Sequence, residues 1–90
     1  MSEIRRTVQI TNRRGLHARA SAKFVTLAST QGASVEVEKD GARVAGTSIM
    51  GLMMLGAAMG DHITITAAGD GAGPAVDALA ELVEAKFGED

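Results

Sequence analysis

Ninety residues and 9.2 kDa are one domain's worth of chain, too short for a second core. Hydrophobic residues at 46% and charged residues at 22% exclude intrinsic disorder. No apolar run reaches the ~18 residues of a bilayer span, and the charged opening SEIRRTVQITNRRG lacks a signal-peptide core. A soluble cytoplasmic protein is expected. The absence of cysteine removes any disulfide framework, and His17 and His62 alone make no metal cluster, so no structural metal is anticipated. Net charge is −2, but its distribution is uneven. Arg5, Arg6, Arg13, Arg14, Arg19 and Lys23 face only Glu3 in the first part of the chain. From Asp61 onward, Asp61, Asp70, Asp77, Glu81, Glu84, Glu89 and Asp90 face only Lys86. A basic beginning suits an anion or an acidic partner.

From Ile4 to Thr11 the residues alternate, with Ile4, Val8 and Ile10 opposite Thr7, Gln9 and Thr11, the period of a half-buried strand. Asn12 to Gly15 break this pattern. From Ala18 the apolar positions Ala20, Phe24, Leu27 and Ala28 recur at helical spacing, and Gly32 offers a left-handed stop. Val35 and Val37 alternate with Glu36 and Glu38 up to the turn signal Lys39-Asp40-Gly41, and Val44 lies in the return strand of a hairpin. A short helix is predicted within Ser48 to Gly60, with Ser48 as its cap; Gly51 and Gly56 oppose it. Ile63, Ile65 and Ala67 alternate with Thr64 and Thr66 in a last strand, with His62 in phase with the outward threonines. After the Gly69 to Pro74 turn, Val76, Leu79, Ala80, Val83 and Phe87 form the stripe of a final helix.

The order is β-α-β-β-α-β-α. Strands polar on one face imply an antiparallel sheet covered on one side, hence an α+β two-layer fold. Strand order stays open, because a ferredoxin-like arrangement has nearly the same succession of elements.

The strongest local signal for chemistry is Gly15-Leu16-His17-Ala18-Arg19, where loop becomes helix. A helix start offers unpaired N–H groups and partial positive charge, which bind anions and disfavour imidazolium, so a neutral, nucleophilic His17 is expected there. Arg19 supplies a charged donor fork for phosphate oxygens, and Gly15 permits close approach by a second protein. Taken alone, a histidine in this position is more often a cap or a surface residue. Arg13, Arg14 and Arg19 nearby favour anion chemistry. In the Met-rich segment, no single stripe buries Ile49, Leu52 and Met53 together with Met50 and Met54. Either apolar surface remains exposed for docking or the helix is buried all round. Gly69, Gly71 and Gly73 do not make a dinucleotide loop, because Pro74 stands where a third glycine is needed.

GLHARASAKFV, residues 15–25, and TSIMGLMMLGAAMGDHITI, residues 47–65, resemble the HPr family, phosphocarriers of the bacterial phosphoenolpyruvate-dependent phosphotransferase system. The resemblance covers essentially the whole chain, residues 1–90, as one domain. It implies an open-faced β-sandwich: a four-stranded antiparallel sheet with three helices on one face. It also implies that His17 accepts a phosphoryl group on Nδ1 from enzyme I and passes it to an EIIA-type acceptor, with Arg19 beside it and Gly15, Leu16 and Ala18 shaping the phosphate site. Such a protein is a phosphorylated intermediate rather than a free-standing catalyst, and would require no metal or organic cofactor. Ser48 matches the family's regulatory serine, the target of an HPr kinase/phosphorylase in some bacteria, and Ile49, Met50, Met53 and Lys23 would meet partners. Two positions depart from the family pattern: Ala20 stands where proline is usual, and Thr47 where several members carry lysine. A sugar-uptake and a regulatory branch are both compatible with this pattern.

A monomer that docks transiently is the simplest expectation. Two competing classes remain at this point: a non-catalytic ferredoxin-like module that binds a small anion or a protein through the same surfaces, and a nucleic-acid binder using the arginines. The second lacks a stacking platform, since Phe24 and Phe87 are the only aromatics and both suit a core. Neither nucleic-acid binding nor membrane insertion is expected.

Overall fold

Alternating apolar residues on three of the strands define the buried face of a single sheet. The computed structural model describes residues 3–89; Met1, Ser2 and Asp90, the last of the acidic charges counted above, lie outside the described residues. The elements are β1 (Glu3–Gln9), α1 (Ala18–Ser29), β2 (Ser34–Lys39), β3 (Ala42–Ala45), α2 (Ile49–Met54), β4 (His62–Ala68) and α3 (Ala72–Glu84), followed by a 3-10 turn at Lys86–Gly88. The four strands pair antiparallel throughout in the order β1-β4-β2-β3. Insertion of β4 between β1 and β2 separates this fold from the ferredoxin-like alternative, in which β3 takes that place.

Register aligns the apolar residues. Val8 lies opposite Ile63, Ile65 opposite Val37 and Ala67 opposite Val35, so one face of the sheet carries the apolar row. Phe24 and Ala20 of α1, Leu52 of α2 and Val76, Leu79 and Val83 of α3 close over it, all fully buried. The opposite face is wet: Arg43 bridges to Glu36 and Glu38, the Thr7 and Thr64 hydroxyls share a hydrogen bond, and His62 is exposed as expected. The result is an open-faced α+β sandwich with three helices on one side of the sheet.

Several local expectations need correction. α1 does not end on a left-handed Gly32; Thr30 caps it in the right-handed region, and the Thr30 hydroxyl and Gln31 amide both donate to the Leu27 carbonyl. α2 stops at Met54 instead of running toward Gly60, because Gly56 turns left-handed at φ 65°. The hairpin holds as read, with Asp40 and Gly41 both at positive φ, the requirement of a primed two-residue turn. Phe87 is not part of the α3 stripe. The chain leaves the helix through left-handed Lys86 and Phe87, which folds the Phe87 ring back into the core at 1% exposure.

The charge asymmetry is partly cancelled within the molecule. Arg6 projects from the covered face of β1 and bridges to Asp77 and Glu84 of α3, and Lys39 lies near Asp61. Exposed pairs of this kind contribute at most about 1 kcal/mol each. Their consequence is that Arg6 no longer belongs to an open basic surface. With Phe24 and Phe87 both buried, no aromatic among the described residues is available to stack a base.

Candidate functional site

α1 begins where the loop Asn12–Leu16 delivers the chain over the buried face. His17 is the N-cap residue, extended at φ −72° and ψ 177°, and its side chain makes no capping hydrogen bond. The first amides of α1 therefore keep the unpaired, partly positive character of a helix start, directly after the imidazole. His17 is half-buried, with 14% of its side chain exposed. Arg19, two residues on, is exposed and makes no ion pair or side-chain hydrogen bond among the described residues.

The loop before His17 is held from behind. Gly15 sits at φ 62°, and a Cβ there would lie 2.3 Å from the Ala57 carbonyl oxygen and 2.9 Å from Ala58 Cα. The Leu16 amide donates to that carbonyl at 2.9 Å, the Leu16 side chain is buried, and the Gly15 amide donates to Asn12 at 3.2 Å. The close approach that glycine allows is thus made by this chain's own α2–β4 loop, not by a second protein. The Gly15 and Leu16 amides are already committed, so these residues position His17 and leave anion contact to the amides of α1, beginning with Ala18. Gly15→Ala should destabilise the domain by about 2–3 kcal/mol, through left-handed strain and displacement of the Ala57 carbonyl. Urea denaturation would measure this; a variant within about 0.5 kcal/mol of the parent would contradict the contact.

The chain's C-terminal end closes the other side of the imidazole. Lys23 of α1 donates to the Phe87 carbonyl at 2.7 Å, and just beyond, the Glu89 carboxylate pairs with Nε2 of His17. The fully buried Asn12 amide donates both to the Gly15 carbonyl at 2.8 Å and to Glu89 Oε1 at 3.1 Å. Two acceptors on one side-chain atom identify that atom as the amide nitrogen. The hydrogen bond from His17, with that from Asn12 and the nearby Arg14 charge, holds the Glu89 carboxyl below the usual carboxylate range. Sequence reasoning missed both Asn12 and Glu89. Glu89 lies 72 residues from His17, and no local pattern links them. Lys23, expected to meet partners, already anchors the chain's own terminus.

The second motif lies across the tied loop. Ser48 caps α2, its hydroxyl accepting from the Gly51 amide at 3.0 Å. Of the residues that follow, only Leu52 is fully buried; Ile49, Met50 and Met53 are exposed, as are Met54 and Met59. The all-round buried helix is therefore ruled out, and an apolar patch remains in water. Ala20, where proline is usual, is fully buried in the first turn of α1.

A tied loop, an uncapped helix start bearing histidine and an adjoining apolar patch define a small carrier-type site. Comparison with known proteins gives the same class. The family model "PTS HPr component phosphorylation site" matches residues 4–85. The phosphocarrier protein NPr of Shewanella violacea is 40% identical over 89 residues, 99% of this chain and 98% of that protein. The phosphocarrier protein HPr of Neisseria meningitidis serogroup A is 45% identical over 86 residues, 96% of this chain and 97% of that one. The crystal structure of HPr-C-His from Thermoanaerobacter tengcongensis superposes with a TM-score of 0.90 at 44% identity, covering 100% of this chain and 99% of that one. The chain belongs to the HPr family and is a phosphocarrier of the phosphotransferase system.

Proposed function

We propose that His17 is the phosphoryl acceptor of this carrier, taking the group on Nδ1 from enzyme I in the cytoplasm and handing it to an EIIA-type acceptor. The observation that carries this reading is the placement of His17 at the uncapped start of α1, with Nε2 occupied by Glu89 and Nδ1 the nitrogen left over. Phosphate on Nδ1 would adjoin the first α1 amides, and the Arg19 guanidinium would balance its charge. Phosphoryl transfer needs little from a carrier beyond position and charge stabilisation, and both are supplied here by a single chain acting as a monomer. Ile49, Met50 and Met53 form the docking surface, their flexible apolar side chains suited to several partners. Phosphoenolpyruvate and enzyme I should load the full chain with one acid-labile, alkali-stable phosphoryl group. Absence of that label would overturn the reading.

Ser48 is read as the regulatory site, because it opens the segment that carries the exposed patch. A phosphoryl group there adds about −1.5 to −2 charge beside Ile49, Met50 and Met53 and opposes apolar or acidic partners. HPr kinase/phosphorylase and ATP should give an acid-stable label that Ser48→Ala lacks. Labelling unchanged by the substitution would reject the site. Ser48→Ala also removes a helix cap, at a cost of about 1 kcal/mol.

A further inference from the structure

The histidine reading uses only one side of the imidazole, yet its other nitrogen is engaged by the far end of the chain. We infer that Glu89 is a positioning residue of the phosphoryl-acceptor site, holding the His17 ring by its Nε2–H so that Nδ1 presents the lone pair. The inference rests on the assignment of His17 as acceptor and deepens it.

The contact is built, not incidental. Left-handed Lys86 and Phe87 reverse the chain after α3, the Phe87 ring is sunk in the core, and Lys23 clamps the Phe87 carbonyl at 2.7 Å. These features bring Glu89 to His17, where the buried Asn12 amide holds its second oxygen at 3.1 Å. The same Asn12 nitrogen binds the carbonyl of Gly15 at 2.8 Å, so one buried amide ties the carboxylate to the loop that carries the histidine. A carboxylate can only accept, so the nitrogen facing it must bear hydrogen. In a neutral imidazole the other nitrogen is then the base and nucleophile.

During transfer, the Nδ1 lone pair forms the new N–P bond while the bond between phosphorus and the donor breaks, its electron pair leaving with the donor. The Nε2 proton stays in place, and the positive charge left on the ring faces Glu89. A carboxylate that orients an imidazole and stabilises the charge it acquires is a general device of histidine chemistry. Its removal should slow transfer roughly tenfold, as loss of a partner that orients a functional histidine commonly does.

The test uses the full chain with Glu89→Ala and Glu89→Gln, both outside the core. In the parent protein, nitrogen-15 NMR of His17 should show a protonated Nε2 and an unprotonated Nδ1, with an exchange-protected Nε2–H proton at low field. Glu89→Ala should lose that proton signal and accept phosphoryl from enzyme I roughly tenfold more slowly. Glu89→Gln, whose amide oxygen still accepts, should restore the protonation pattern and part of the rate. An alanine variant with the parental ring signals, or with the parental transfer rate, would overturn the inference. The ring signals are read without enzyme I, so failure of the parent protein to be phosphorylated would strike the acceptor reading and not this contact.

Discussion

His17→Ala is expected to abolish the acid-labile label completely while leaving the protein folded. His17 makes no capping hydrogen bond, and in the first helical bond of α1 the Ser21 amide donates to its backbone carbonyl at 2.9 Å. Alanine keeps that carbonyl. Losing the pair with Glu89 should cost about 1.5–3 kcal/mol, which still leaves a domain of this size folded, so loss of label reports lost chemistry and not lost structure. No other side chain can take over. His62 lies on the exposed sheet face, where it pairs in register with Gln9, and is not at the start of a helix. Phosphoenolpyruvate with enzyme I, followed by acid and alkali treatment of the labelled protein, gives the measurement. Residual label on the alanine variant at the parental level would remove His17 from the mechanism.

Phe87→Ala should have the largest effect on stability, about 3–5 kcal/mol, through the lost transfer energy of the ring and the cavity it leaves. A domain of this size has roughly 5–13 kcal/mol in total, so the variant would sit near the threshold of folding. The ring is 1% exposed and packs among core residues although its backbone lies outside α3 in a left-handed turn. The substitution therefore also loosens the segment that brings Glu89 to His17, and phosphoryl acceptance should fall along with the urea midpoint. A loss below about 1 kcal/mol would show that the reversed segment is not seated in the core.

Much of the secondary structure was legible because its cause was local. The Asp40-Gly41 turn, the Ser48 cap and the alternation of Val35 and Val37 each depend on neighbours a few residues away, and each holds in the structure. His17 could be placed at the start of α1 for the same reason: broken alternation followed by helical spacing marks the boundary within a turn. One local reading failed: Gly32 lost its capping role to the Thr30 hydroxyl and Gln31 amide, which reach the Leu27 carbonyl three and four residues back. Elsewhere the deciding contact was distant. Gly15 was expected to admit a partner because its own neighbourhood says nothing of the Ala57 carbonyl that fills the space. Arg6 belonged to a basic region on paper, and only the packing of α3 against β1 brought Asp77 and Glu84 to it.

What the amino-acid order determined by itself was a set of elements, one histidine at a helix start and an apolar segment that could not all be buried. Periodicity and capping express energies between near neighbours, so they can be read along the chain. The strand order, the loop tie between Gly15 and Ala57 and the return of the C-terminal end onto His17 were decided only by tertiary structure. Those contacts join residues whose proximity follows from how the sheet and helices pack together, and no stretch of local sequence carries that information.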